Sequence, residues 1–189
     1  NAHEHFEAIE AICTHSAKEC ALENKFENLT LEWAAVVFPL AKFKAKGPFI
    51  LKGGETQELI EKLEETLMVL GGIMASRYVT FMRDKVSRWS SMLANVGEVL
   101  ENWLSLQATW IYLEAVFSSG DIAKQLPQES KRFSLVDKMF AKIMAKANEI
   151  ESVLEYVTTA DDLRKSIAHM TEQLELCQKS LSGYLEQKR

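Results

Sequence analysis

The stretch from Met82 to Trp110, MRDKVSRWSSMLANVGEVLENWLSLQATW, decides the fold class because its apolar residues repeat with a helical heptad spacing. The seam positions lie alternately four and three residues apart, and all but Gln107 are apolar: Met82, Val86, Trp89, Leu93, Val96, Leu100, Trp103, Gln107 and Trp110. Such a seam predicts a long helix. Further apolar residues beside the seam widen the stripe, so we expect the helix to pack against more than one neighbour. With its flanks, from about Ser76 to Phe117, it would form a rod of roughly 60 Å.

Helical spacing also extends on both sides of this rod. Apolar and small residues separated by three or four positions predict a helix over residues 1–28. Leucines at helical spacing begin after Glu55, so residues 55–117 are expected to hold helices that include the rod, with Gly71-Gly72 as a break or loosening. Residues 121–189 are expected to form a helical bundle, in which Pro127 suits the first turn of a helix.

Between residues 33 and 52 the pattern changes: residues 33–38 are β-branched, aromatic or small and apolar, and residues 41–46 alternate with a period of two. Three lysines alternate with Ala41, Phe43 and Ala45, and Lys46-Gly47-Pro48 is typical of a turn. The sequence therefore predicts a small β-hairpin, which must pack on the helices because an isolated hairpin is marginally stable in water. The predicted fold is mainly α: residues 1–189 form one elongated helical bundle with a single hairpin.

The lysines of this predicted hairpin have two interpretations. Lys42, Lys44 and Lys46 lie in a stretch without an acidic residue, although the whole chain has a net charge of −5. Lysines on an exposed strand can simply deter sheet-to-sheet aggregation. Alternatively, they form a docking face for an acidic surface.

The sequence carries no recognisable chemistry for catalysis. It lacks a phosphate-binding GxxxxGK[ST] loop and an HExxH motif, and its histidines and its three cysteines do not have metal-ligand spacing. We therefore predict no catalytic, cofactor-binding or metal-binding residue. The acidic balance argues against a nucleic-acid partner, and the longest apolar runs are too short to cross a membrane.

One longer stretch resembles a known family. The residues Trp103–Phe117, WLSLQATWIYLEAVF, resemble the W-x-x-V/L-Q-x-x-W-x-Y-L-E-x-I/V-F segment of dynein heavy chains. The segments GDI at 120–122, QLPQESKRF at 125–133 and CQKSLSGYLEQKR at 177–189 follow in the same order as in that family. The matching residues define a family-motif core: Trp103, Gln107, Trp110, Tyr112, Leu113, Glu114, Phe117, Pro127 and Phe133. The amino-acid sequences at residues 121–129 and 177–181 are most similar to those of axonemal outer-arm heavy chains of the gamma class.

This resemblance implies the N-terminal part of the linker, a mechanical lever that moves across the AAA+ ring during the ATP cycle and drives ciliary beating. It implies that the segment is not itself an enzyme and needs no cofactor, whereas ATP and Mg²⁺ bind in the ring of the parent chain. The implied partners are that ring, other dynein heavy, intermediate and light chains, and microtubules bound through distant parts. The implied location is the axoneme of a cilium or flagellum, with a cytoplasmic stage before assembly.

Two other functions remain open on the residues alone. A helical scaffold or tethering protein would be expected to show repeats of about a hundred residues, as in spectrin-like proteins, and none is visible. A helical-bundle enzyme would need a cluster of acids or metal ligands. Because the chain starts at Asn1 within an apparent helical pattern, we expect it to be a piece of a longer chain.

Overall fold

A computed structural model describes residues 2–44, 48–77, 80 and 82–188, with side chains from Ala17 onward. The described part of the chain is mainly α-helical and contains one small antiparallel sheet, as predicted. The elements in chain order are α1 (Ala2–Ala34), β1 (Leu40–Lys42), β2 (Phe49–Leu51), α2 (Gly53–Ala75), α3 (Arg83–Ser118), α4 (Asp121–Gln125), α5 (Pro127–Ile150), α6 (Val153–Thr159) and α7 (Leu163–Gln187).

Helix α1 is longer than the sequence pattern suggested. It continues to Ala34, so the predicted end at residue 28 is wrong and Trp33 is helical, not part of the hairpin. Trp33 is completely buried, and its indole N–H donates a hydrogen bond to Thr66 Oγ1 of α2 at 3.0 Å. Packing against α2 therefore stabilises the helical conformation of Trp33, although an aromatic residue by itself favours a strand.

Helices α2 and α3 form an adjacent pair. Helix α2 runs through Gly71 and Gly72 to Ala75, so these glycines do not break it. Helix α3 begins at Arg83, later than the expected start near Ser76, and ends at Ser118. At 36 residues it is about 54 Å long. The pair comes close at Gly97, where an added Cβ would lie 3.0 Å from Leu63 Cδ2.

The hairpin is confirmed, but its strands are shorter than the predicted region 33–52. Ala41 pairs with Ile50 at the centre of a three-residue ladder. The predicted turn Lys46-Gly47-Pro48 lies partly outside the described residues. Pro39 and Pro48 flank the ladder, and neither has an N–H to donate. The strands therefore cannot extend the full ladder beyond these two positions.

The C-terminal helices pack on α3 and on one another. Pro127 is at the predicted position in the first turn of α5. Helix α7 packs on α5 and α3, and the Arg164 guanidinium hydrogen-bonds Asn95 Oδ1 of α3 at 2.9 Å. The segment after α1 joins this part of the chain through an antiparallel bridge between Val37 and Ser152 and a hydrogen bond from Phe38 N–H to the Glu151 carbonyl oxygen at 3.0 Å.

One contiguous apolar core runs through all these elements. It includes Trp33 of α1, Leu51 of β2, Trp103 of α3, Phe140 of α5 and Leu174 of α7, each almost completely buried. Within the described residues, no helix is both long and apolar enough to cross a membrane.

Candidate functional site

The polar position of the heptad seam holds the hairpin. Gln107 lies on α3 with 5% of its surface exposed. Its Oε1 accepts a hydrogen bond from the Leu51 N–H at 2.7 Å, and its Nε2 donates to the Leu51 carbonyl oxygen at 2.8 Å. A side-chain amide has the same donor and acceptor as a peptide group, so it caps the outer edge of β2 at Leu51. We call this contact of the hairpin with α3 and α5 the hairpin junction, formed by Phe43, Leu51, Gln107, Trp110, Glu114 and Asp137.

Trp110 connects three elements at the hairpin junction. Its ring stacks on Phe140 of α5 with the centroids 4.5 Å apart and meets Phe43 edge-on at 5.0 Å. Its indole N–H donates to Asp137 Oδ1 of α5 at 2.9 Å. The buried indole is thus satisfied as well as packed, and its orientation is fixed by a charged acceptor.

Trp103 lies one heptad earlier and is completely buried. Its ring centroid is 5.4 Å from that of Phe38 and 6.1 Å from that of Tyr156 on α6. Its indole N–H has no hydrogen-bond partner among the described residues. Trp103 therefore contributes by packing the segment after α1 and helix α6 against α3.

The last turns of α3 complete the contact with α5 and with the hairpin. Phe117 stacks on Phe133 with the centroids 5.3 Å apart and the planes 21° from parallel. Glu114 accepts a hydrogen bond and ion pair from Lys44 Nζ at 2.8 Å, and the same ammonium lies 5.4 Å from the Phe43 ring centroid. Leu113 is completely buried beside them.

The structure does not bring every motif residue into this junction. Tyr112 has 51% of its surface exposed, and Pro127 is exposed at the start of α5. Of the predicted docking lysines, Lys42 is exposed, whereas Lys44 is held by Glu114. Lys46 lies outside the described residues.

Several residues of the junction were not predicted as site residues. Asp137 is the acceptor for Trp110, and Phe43 and Phe140 are its ring partners. The sequence signal that could have identified Asp137 is its place between the buried seam positions Val136 and Phe140, next to the core face of α5. The contact of Gln107 with Leu51 has no such signal, because the partner is a backbone group 56 residues away.

Two buried titratable groups, Tyr156 and Cys177, are favoured in their neutral forms. Burial raises the pKa of Tyr156 to about 12, and burial also raises the pKa of the Cys177 thiol. Both groups therefore stay protonated at neutral pH. No cluster of three or more His, Cys, Asp or Glu side chains in the described part of the chain could hold a metal ion. The contacts of the hairpin junction are ring packing, directed hydrogen bonds and one surface ion pair.

Comparison with known proteins identifies the family. The model of the "Dynein heavy chain, N-terminal region 2" family matches residues 1–189. The chain is 48% identical over 183 residues to the flagellar outer-arm dynein gamma chain of Chlamydomonas reinhardtii. This match covers 97% of this chain and 4% of that relative. It is 43% identical over 183 residues to dynein axonemal heavy chain 5 of Rattus norvegicus, over 97% of this chain and 5% of the relative.

It is also 44% identical over 181 residues to dynein axonemal heavy chain 8 of Mus musculus, over 96% of this chain and 4% of the relative. The chain thus spans about one twentieth or less of the length of these relatives. Full-length matching to the family model, together with identities well above 30%, shows that this chain belongs to the dynein heavy-chain family, in the N-terminal region of the heavy chain.

Proposed function

We propose that this chain is part of the mechanical linker, or lever, of an ATP-driven microtubule motor. The lever moves across the AAA+ ring of the same heavy chain during the ATP cycle and carries no catalytic residue itself. ATP and Mg²⁺ act in that ring. Membership of the dynein heavy-chain family supports this assignment over an unrelated helical scaffold.

The length and bracing of α3 support a lever. A lever must transmit force without bending, and α3 is a helix of 36 residues that is flanked by α2, α5, α6 and α7. Side chains on several faces of α3 are buried against these neighbours. A helix braced on several sides bends less than an isolated helix of the same length.

The hairpin junction carries the proposal. Two hydrogen bonds from one side chain fix Leu51, and the Trp110 indole bonds to Asp137 of α5. The hairpin, α3 and α5 are thereby joined by directed bonds and not only by apolar contact. We infer that they move as one body, so that force applied at the hairpin reaches α3.

Gliding of microtubules by a full motor with Gln107→Leu tests this proposal. We expect velocity to fall while ATP hydrolysis continues, since the substitution loosens the hairpin without touching the ring chemistry. The matched control is Tyr112→Ala, which truncates an exposed side chain on the same helix. Unchanged velocity in a Gln107→Leu motor, with the hairpin shown by hydrogen exchange to be loosened, would contradict the lever assignment.

The lysine face, formed by Lys42, Lys44 and Lys46, provides a second part of the proposal that can be tested separately. We infer that Lys42 and Lys46 help to dock the hairpin on the ring or on a neighbouring chain, with Lys44 shared between this face and Glu114. A motor with Glu at Lys42, Lys44 and Lys46 should glide more slowly. Because Lys44→Glu also breaks the ion pair, a motor with only Lys42→Glu and Lys46→Glu separates docking from hairpin stability. Unchanged velocity and ATPase activity in both motors would exclude this role.

We further propose an axonemal location, with other dynein heavy, intermediate and light chains as partners and microtubules bound through distant parts of the heavy chain. The relatives named above are axonemal or flagellar outer-arm chains. Imaging a tagged full-length heavy chain tests the location: signal along the axoneme is expected. Signal confined to the cell body would contradict it.

A further inference from the structure

The two strands of the hairpin differ in what covers their outer edges. Lys52 N–H donates to the Pro39 carbonyl oxygen at 2.8 Å, and Phe43 N–H donates to the Pro48 carbonyl oxygen at 3.0 Å. In an antiparallel pair the residues alternate between those that bond across the ladder and those that face away. With Ala41 opposite Ile50, the N–H and C=O groups of Leu40 and Lys42 must face away from β2, as those of Leu51 face away from β1.

The outer edge of β2 is closed at Leu51, though not at Phe49, whereas no described residue bonds to either outward-facing residue of β1. Gln107 satisfies both backbone groups of Leu51. The outward groups of Leu40 and Lys42 have no partner among the residues that the structure describes. The main packing neighbours of the hairpin, α3 and α5, lie against β2. Two donors and two acceptors on β1 are thus arranged as a template for a further strand.

The charge around this edge selects the kind of strand that fits. Residues 33–54 contain four lysines and no acidic residue, in a chain of net charge −5. Lys44 and Lys52 are paired with Glu114 and Glu55, while Lys42 is exposed and has no ion-pair partner within the described residues. A second copy of β1 would place lysine near lysine, which is unfavourable across a strand pair, whereas an acidic strand would be attracted.

The short length of the edge indicates where the strand comes from. Three residues offer four hydrogen bonds, which correspond to a dissociation constant of roughly millimolar order for a free peptide. A segment tethered in the same polypeptide has an effective concentration that reaches about the same range. The relatives are about twenty times longer than this chain, so most of such a heavy chain lies outside these residues.

We propose that the outer edge of β1 takes up, as a third strand, an extended acidic segment from elsewhere in the same heavy chain. Backbone groups of Leu40 and Lys42 form the ladder, and the Lys42 ammonium pairs with a carboxylate on the added strand. The inference rests on the proposed function only in assuming a full-length heavy chain, and it specifies how the lysine face docks.

Zero-length carbodiimide cross-linking of the purified, intact heavy chain tests the source of the strand. The reagent joins a lysine ammonium to a carboxylate in direct contact. We expect Lys42 to be linked to an Asp or Glu of the same heavy chain outside these 189 residues. A link to a different polypeptide, or no link at Lys42, would overturn the proposal.

Hydrogen exchange in the same intact heavy chain tests the strand pairing. The Leu40 amide faces outward, and the Ala41 amide faces β2 and reports whether the hairpin itself is intact. We expect the Leu40 amide to be protected in the native chain and in Lys42→Arg. In Lys42→Glu it should exchange at least about tenfold faster, with Ala41 unchanged.

A Leu40 amide that exchanges freely in the native chain would overturn the proposal even if Lys42 is cross-linked, because the contact would then be ionic only. Equal protection of the Leu40 amide in Lys42→Glu and Lys42→Arg would contradict the proposal that the added strand is acidic. Neither measurement depends on motility. Failure of the proposal is therefore distinguishable from failure of the lever assignment. The lever assignment is tested separately by microtubule gliding with the Gln107→Leu motor.

Discussion

The two halves of α3 use the same heptad spacing for different purposes. The half that packs on α2 is buried through small and aliphatic residues, and Gly97 lets Leu63 approach closely. The half that holds the hairpin buries two tryptophans and an amide. The Gln107 amide and the Trp110 indole form directed hydrogen bonds, whereas the Trp103 indole contributes by packing alone. Helix against helix needs only matching surface shape. Holding a strand also requires partners for its backbone groups.

The largest test of this contrast removes the aromatic packing. Trp103→Ala should lower the free energy of unfolding by about 3–5 kcal/mol, because it loses the buried ring and leaves a cavity between α3, α6 and Phe38. Chemical denaturation measures the loss. Tyr112→Ala on the same helix is the control and should cost little, since Tyr112 is half exposed. A loss below about 1 kcal/mol for Trp103→Ala would show that this ring is not core.

The second test removes the two hydrogen bonds of Gln107 while keeping a side chain of similar volume. Gln107→Leu should cost about 2–3 kcal/mol, since it leaves the N–H and C=O of Leu51 buried and without partners. The Leu51 amide should also exchange faster with solvent. Gln128→Leu, at an exposed position of α5, is the matched control. Equal effects of the two substitutions would mean that the amide adds nothing to hairpin docking.

The third test addresses the aliphatic half. Gly97→Val should cost about 1–2 kcal/mol, because its Cβ alone would lie 3.0 Å from Leu63 Cδ2 and its methyl groups need further space. Gly183→Ala is the comparison: its Cβ meets nothing within 4 Å, so helix propensity should raise stability by about 0.5–1 kcal/mol. Thermal unfolding of the two variants measures both changes. Stabilisation by Gly97→Val would show that α2 and α3 are not closely packed there.

The smallest expected effect belongs to the surface ion pair of the hairpin. A double-mutant cycle with Lys44→Ala and Glu114→Ala should give a coupling of under about 1 kcal/mol, because the side chain of Lys44 is 58% exposed. Added salt should weaken this coupling but leave the effect of Gln107→Leu unchanged. A coupling as large as the Gln107→Leu effect would mean that the ion pair, and not the amide, holds the hairpin.

The contrast also explains how much the sequence could predict. Heptad spacing predicted most of the buried seam of α3: Val86, Leu93, Val96, Leu100, Trp103, Gln107 and Trp110 are buried. Trp89 of the same seam is only partly buried and packs edge-on against Phe26 of α1. It did not predict the neighbour of each residue. The partners of Gln107 and Lys44 lie 56 and 70 residues away in the chain, so no local pattern carries them.

Local preference was likewise insufficient at the end of α1. Residues 33–38 are β-branched, aromatic or small, which favours strand, yet Trp33 is helical because its indole bonds to Thr66 of α2. The hairpin was predicted correctly from its period of two and its turn residues. Its bounds were predicted too wide: α1 extends to Ala34, and Pro39 and Pro48, which are visible in the sequence, flank the short ladder.

The bridge between Val37 and Ser152 has a consequence for the order of synthesis. These residues are more than a hundred positions apart, and the Val153 N–H also bonds to the Val36 carbonyl oxygen. A ribosome that adds about 5–20 residues per second would make the second partner roughly 6–23 s after the first. During that interval Trp33 can already bond to Thr66 of α2, but the backbone groups of Val36, Val37 and Phe38 lack their partners. The segment after α1 can therefore reach its native contacts only after the chain has grown past Val153, later than the contact between α1 and α2.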